Sequence, residues 1–309
     1  MSTRGCRRQT LLLCSFGLLL GTVNVVHGTW SEDLTLEVST RARAFQPGEA
    51  ILLTIVPSRP LATLEGTAFD HSIIVWQDTA LRWHGLGGIP LETIAGTSAI
   101  TLQAKSLDGE TTSSDVPLTV ATATFETRHL KVAERFVDPP KATIPRITKE
   151  SETLAAIFAN SQPERIWRGV FRRPVPGRST SSFGRLSVLN GVSRGRHQGA
   201  DFRAVTGTPV VAPNAGRIAL VADHYFSGRT VVIDHGGGLL SLFAHFSRVA
   251  VKTGELVKAG DQLGDAGATG RVTGPHVHWA VRLRGLTVDP LSLMAALDAL
   301  GEKPGKSFQ

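Results

Sequence analysis

Apolar and polar positions alternate along the first half of this chain, and the period of two recurs in short runs from about Leu34 to Phe125. Leu34, Leu36 and Val38 alternate with polar residues, and runs at 51–56, 73–76, 99–104 and 116–125 continue the series. Turn pairs punctuate them: Pro47-Gly48, Gly87-Gly88, Gly96-Thr97 and Asp108-Gly109. Evenly spaced short strands with such breaks predict a β-sandwich. The period then changes. Beyond Val137-Asp-Pro-Pro140, the residues Ile144, Ile147, Leu154, Ile157 and Phe158 recur at near-helical spacing and predict one amphipathic helix. From Trp167 strands return, clearest at 208–212, 216–221, 230–234, 239–245 and 277–283. Asp289-Pro290 reads as the N-cap and first residue of a short last helix, with Leu291, Met294, Leu297 and Leu300 on its buried side.

The pattern predicts an all-β protein with a helical linker. Its expected parts are a signal peptide (1–28), a β-sandwich domain (29–126), a linker with the amphipathic helix (127–166), a second domain built on an antiparallel sheet (167–301) and a tail (302–309). Export is read from Arg4, Arg7 and Arg8, which precede an almost wholly apolar stretch at 11–20, and from Gly28 two residues after Val26. The apolar stretch is short for a membrane span, so cleavage is expected, with no span in the mature chain. Thr10 stands where a twin-arginine signal has a large apolar residue, which favours the general secretory route. Both cysteines, Cys6 and Cys14, fall inside this segment, so neither disulfides nor thiolate catalysis belong to the mature chain. The formal charge of +7 includes three signal arginines and no signal acid, leaving +4. That mild excess suits an anionic cell envelope. Without a basic block or a row of interleaved aromatics, it gives no reason to expect nucleic acid as a partner.

Candidate chemistry concentrates near the C-terminal end. A His-x-x-x-Asp (His197, Asp201) and a His-x-His (His276, His278) flank a third histidine, His245, at the end of an apolar run. Two imidazoles and one carboxylate form a three-ligand zinc set, and a fourth position open to water marks a catalytic rather than a structural zinc. Residues two apart on a strand project the same way, about 6.6 Å apart. One of His276 and His278 can therefore bind metal while the other faces a water or substrate beside it. Histidines at 71, 84 and 129 lack a partner pattern, and His224 and His235 lie at strand ends, with His235 the better candidate to support the site from behind.

Three segments carry a resemblance: 195–202 (Gly-Arg-His-Gln-Gly-Ala-Asp-Phe), 232–247 with Asp234-His235-Gly236 and Ala244-His245-Phe246, and 267–279 ending in Pro275-His276-Val277-His278-Trp279. Together they resemble the lysostaphin/LytM-type zinc endopeptidases over roughly 174–291. Residues 30–140 are similar to the β-sandwich that precedes this domain in many Gram-negative members. The resemblance implies His197, Asp201 and His278 as ligands of one zinc per chain, His276 as general base and His245 as the histidine that stabilises the transition state. It further implies an exported, periplasmic metalloendopeptidase that hydrolyses peptide cross-links of peptidoglycan. The sandwich is then expected to restrain access to the peptidase groove, or to dock an envelope regulatory protein. A rival reading is a non-enzymatic envelope factor that binds peptidoglycan and activates another hydrolase; intact ligand positions argue against it. A second rival rests on Val251-Lys-Thr-Gly-Glu-Leu-Val257, which resembles the hairpin of biotin and lipoyl carriers, but Lys252 and Lys258 sit beside the turn rather than at its tip.

Overall fold

A computed structural model describes residues 33–78, 81–181 and 183–301. The expected signal peptide and the 302–309 tail lie outside the described residues. No helix among the described residues is long and apolar enough to cross a membrane.

The first region is a sandwich of two antiparallel four-stranded sheets. One runs Leu36–Arg41, Ala50–Pro57, Trp83–Gly88, Ile74–Gln77; the other runs His71–Ser72, Leu61–Ala68, Gly96–Ser106, Thr111–Val120. The run expected as a strand at 73–76 is the strand Ile74–Gln77, and His71–Ser72, just before that run, pairs in the other sheet, with buried Ile73 at the crossing. Two strands carry no clear apolar alternation: Leu61–Ala68 and the glycine-rich Trp83–Gly88, in which Gly87-Gly88 continues the strand instead of forming the expected turn.

The Ala50–Pro57 strand shows why this sandwich does not stand apart. Its inward residues Ile51, Leu53 and Ile55 fill the sandwich core. Its outward residues Ala50 and Leu52 join Ile74 and Leu86 in a second core that also holds Trp167, Val288, Leu293 and Leu297. Burying both faces of one strand fuses two layers through a shared apolar interior. Polar contacts lock the seam. The Ala50 amide donates to Ser292 Oγ at 2.7 Å, the Asp289 amide donates to the Gly48 carbonyl at 2.8 Å, and Arg43 pairs with both Glu49 and Asp289. Residues Leu34 onward cluster as one compact unit. A free hinge between sandwich and second region, which a Pro-Pro break suggests, is replaced by this packing.

The two helices follow from local sequence. Ile144–Ala159 lies on the surface with Ile147, Leu154, Ile157 and Phe158 half-buried, and Ile144 exposed. It is tied to the second region: Arg146 donates to the Asp223 carbonyl, and Glu150 accepts from the Tyr225 amide, both at 2.8 Å. The short Pro290–Leu297 helix is capped by Asp289, whose carboxylate accepts from the Leu291 amide at 2.9 Å. Its buried residues are Pro290, Ser292, Leu293, Ala296 and Leu297, whereas Leu291 and Met294 are only partly buried. The expected stripe is displaced because the helix packs between the sandwich sheet and the last strands, not on a single neighbour.

The second region centres on an antiparallel sheet ordered Ser179–Ser181, Ala200–Arg203, His276–Leu283, Leu239–Phe246, Gly228–Gly236, Gly216–His224, Leu256–Val257, with Leu286–Val288 hairpinned onto His276–Leu283. One face of this sheet is dry, carrying Phe202, Phe243, Val277, Trp279 and Val281. Within the segment expected as linker, Thr127–Leu130 forms a strand parallel to Leu186–Leu189, which also pairs with Val192–Arg196. That three-stranded sheet stands over the other face.

Candidate metal centre

Strand alternation assembles the cluster. Along His276–Leu283 every second residue, from Val277 to Leu283, is buried, and His276 and His278 fall on the half-buried face. In the adjoining register Asp201 lies opposite His278 and Arg203 opposite His276. On the other side Ala244 lies opposite His278. Simple alternation would turn His245 away from that face. A β-bulge prevents it: Arg229 pairs with Phe246 and Val231 with Phe243, so the Leu239–Phe246 strand holds one extra residue there. His245 takes φ of +71°, a left-handed conformation uncommon for a side-chain-bearing residue. The bulge brings its imidazole beside His276, with ring centroids 4.7 Å apart.

Three ligating atoms converge. His197 Nε2 lies 3.0 Å from Asp201 Oδ1 and 3.1 Å from His278 Nδ1, and His278 Nδ1 lies 2.9 Å from Asp201 Oδ1. Among the described residues this is the one group of three such side chains whose donor atoms meet. The arrangement passes a test of fit to a metal. Ligands about 2.0–2.1 Å from a tetrahedral zinc stand about 3.3 Å apart, close to the observed triangle. A single imidazole proton cannot serve all three contacts, whereas one cation satisfies all three lone pairs. Gly199 is needed for the approach, since a Cβ there would stand 2.7 Å from His278 Cε1 and 2.5 Å from the Trp279 carbonyl oxygen.

Electrostatics favour an ionised, acceptor-rich cluster. Burial alone would raise the Asp201 pKa, but hydrogen bonds from His197 and His278 outweigh it and hold the carboxyl well below its ordinary range. Burial lowers the His278 pKa despite Asp201. Burial, then the neighbouring His278 and His276, push His245 down to about 3. Both remaining rings are oriented by carbonyls. His276 Nδ1 donates to Gly274 and His245 Nδ1 to Thr269, each at 2.8 Å, so the neutral rings present unprotonated Nε2 atoms. His276 Nε2 is 3.8 Å from Asp201 Oδ1, immediately beside the triangle.

The other histidines fall elsewhere. His235 is fully buried on the neighbouring strand; its Nδ1 donates to the Ala215 carbonyl at 2.7 Å, and its Nε2 meets Ser241 Oγ at 2.9 Å. Trp279 Nε1 donates to the same hydroxyl at 3.1 Å, so His235 braces the strand behind the cluster without entering it. His84 belongs to the sandwich, 3.6 Å from Asp78.

The cluster floors a groove of about 620 Å³. No residue of the eight sandwich strands lines it among the described residues. Its far wall comes from Arg128, Leu130 and Val132, and from Arg185, Ser187 and Leu189. This wall has no local signature, because Thr127-Arg-His-Leu130 has no alternating apolar signal and becomes a strand only through its partner.

Residues 195–290 match the profile of peptidase family M23, and all five candidate site residues lie inside that span. The structure is similar to a crystal structure described as a peptidase M23 from Pseudomonas aeruginosa, with TM-score 0.63 and 30% identity, covering 82% of this chain and 96% of that one. Peptidoglycan DD-endopeptidase ShyA of Vibrio cholerae is 39% identical over 95 residues, 31% of this chain and 22% of the relative. DD-carboxypeptidase/endopeptidase Mpg of Neisseria meningitidis is 39% identical over 112 residues, 36% of this chain and 26% of the relative. The chain thus matches about a quarter of the length of these curated relatives.

Proposed function

The chain belongs to peptidase family M23, and from that premise we propose that it is an exported zinc endopeptidase that hydrolyses peptide cross-links of bacterial peptidoglycan in the periplasm. The observation that carries this reading is the His197–Asp201–His278 triangle with two carbonyl-anchored imidazoles beside it. The peptidoglycan endopeptidase relatives supply the substrate class.

His197 Nε2, Asp201 Oδ1 and His278 Nδ1 would hold one zinc per chain. Zinc bound there would lower the pKa of a water to about 7 and polarise the scissile carbonyl. His276, its Nδ1–H fixed on Gly274, offers Nε2 as the base that takes the proton of the attacking water and returns it to the leaving amine. His245 is fixed by Thr269 and aims Nε2 at the same space. Its unprotonated Nε2 would accept a hydrogen bond from the attacking water and so stabilise the transition state of attack. The dry face beneath, with Trp279 stacked on Phe243 at 6.0 Å, keeps the histidine strand from shifting.

The test is product analysis. Purified protein incubated with cross-linked muropeptides should yield uncross-linked peptides with one new amine and one new carboxylate, read by mass spectrometry. Intact cross-links after incubation with a zinc-loaded sample would refute the activity.

A further inference from the structure

The groove is far more cationic than the chain that contains it. Four arginines line it, Arg128, Arg185, Arg203 and Arg271, and among the described residues Asp201 is its one acidic side chain. They converge from separate elements. Arg128 precedes Leu130 and Val132 on one face of the Thr127–Leu130 strand and its continuation, and Arg185, Ser187 and Leu189 repeat that order on the neighbouring strand. The register sets Arg128 beside Ser187 and Leu130 beside Leu189. The wall therefore has a charged end and an apolar end. The charged end adjoins the metal cluster, since the His197 amide donates to the Arg185 carbonyl at 2.8 Å.

Across the groove, Arg203 is exposed on the strand beside His276. Arg271 lies over the Phe226 ring at 4.7 Å, its backbone amide donating to the Phe226 carbonyl at 2.7 Å. Among the described residues, neither Arg128 nor Arg203 forms a side-chain hydrogen bond or ion pair. Like charges gathered in a low-dielectric cleft repel one another, and burial and Arg128 together lower the Arg185 pKa. Such a cleft favours an anionic occupant, and a planar guanidinium matches a carboxylate in bidentate fashion.

We propose that Arg128, Arg203 and Arg271 are specificity-determining residues that read free carboxylates on the peptide flanking the scissile bond, so that the substrate is an acidic cross-linked peptide rather than a neutral, glycine-type bridge. Leu130, Val132 and Leu189 then cover small apolar side chains further from the bond. Arg128 lies outside the residues matched to the family, on the segment that joins the sandwich to the peptidase sheet. This part of the selectivity thus comes from the connecting strand. The inference rests on the peptidase reading but addresses recognition, which binding can report without turnover.

The experiment compares a cross-linked muropeptide dimer bearing free carboxylates with the same dimer fully amidated. Binding to the zinc-loaded full chain is measured by calorimetry, and kcat/KM by chromatography. Wild type should prefer the acidic dimer at least ~10-fold in both, and the preference should shrink as salt is raised. Arg128→Gln, Arg203→Gln and Arg271→Gln should each reduce that preference several-fold, mainly through KM, with zinc content as in wild type. Arg128→Lys should restore part of it. Equal affinity of wild type for the two dimers, or an unchanged preference in all three variants, would overturn the proposal even if cleavage occurs. Preferential binding of the acidic dimer without cleavage would support the carboxylate reading and refute the activity instead.

Discussion

Among the described residues, two places set a histidine against an aspartate, and they differ in every way that matters for chemistry. In the sandwich, His84 lies 3.6 Å from Asp78 and against the Trp76 ring, and burial lowers its pKa. In the second region His278 meets Asp201 at 2.9 Å, and His197 closes a triangle with both. The first is a polar group accommodated in a packed layer. The second gathers three lone pairs at one point, with two more imidazoles beside it. A histidine near a carboxylate is common structural furniture; convergence of several on one sheet face is what gives a metal a place to bind.

The largest expected effect breaks the comparison outright if it fails. Asp201→Ala and His197→Ala should lose zinc, measured by plasma emission, and lose cross-link cleavage down to background. Asp78→Ala and His84→Ala should keep wild-type zinc content. Zinc retained in the first pair would place the metal elsewhere. The next effect separates holding a metal from moving a proton. His276→Ala should keep zinc while kcat falls about 10²–10⁴-fold, the usual worth of a general base, and His278→Ala should lose both. The reverse pattern would exchange the two roles.

Both places lie in one compact unit, and a core substitution tests whether they unfold together. Leu52, on the outer face of the sandwich sheet, is 3% exposed and packs into the second core. Leu52→Ala should cost about 2–5 kcal/mol in a single cooperative unfolding transition followed by calorimetry. Two separated transitions, with the zinc-bearing one unmoved, would mean that the regions fold independently.

The smallest effect concerns histidines that serve stability alone. Burial pushes His235 down to about 4 and lowers His84 as well. Their folded pKa values lie below the unfolded value near 6.5, so the unfolded chain binds protons first as pH falls. Stability is therefore full above about 6.5 and is lost toward about 4, by about 3 kcal/mol for His235. Thermal unfolding of metal-free protein should show Tm falling across that window, and less steeply in His235→Asn; His245, also lowered, keeps part of the slope. An identical slope in the variant would remove His235 from the account.

Much of this was legible in the sequence because it is local. His276 and His278 sit two apart in a run whose alternate residues are apolar, and that alone assigns them one face. The Asp289-Pro290 cap was readable for the same reason. Register was not. Nothing near Ala244-His245 announces a bulge, because the extra residue is defined only against Gly228–Gly236 across the ladder. The Arg128 wall escaped notice on similar grounds, since an exposed Thr-Arg-His-Leu becomes a strand only when Leu186–Leu189 offers its edge. The shared core was hidden too. A run such as 51–56 shows that its residues are apolar, not that both faces are covered.

The triangle, and no other histidine–aspartate contact among the described residues, is proposed to hold a catalytic zinc. The most direct measurement strips the protein with a chelator and titrates zinc back while cleavage of cross-linked muropeptides is followed in the same sample. The account predicts activity that returns in proportion to zinc and saturates at one zinc per chain, with no return in Asp201→Ala. Activity that survives stripping, or that zinc restores equally in Asp201→Ala, would contradict it.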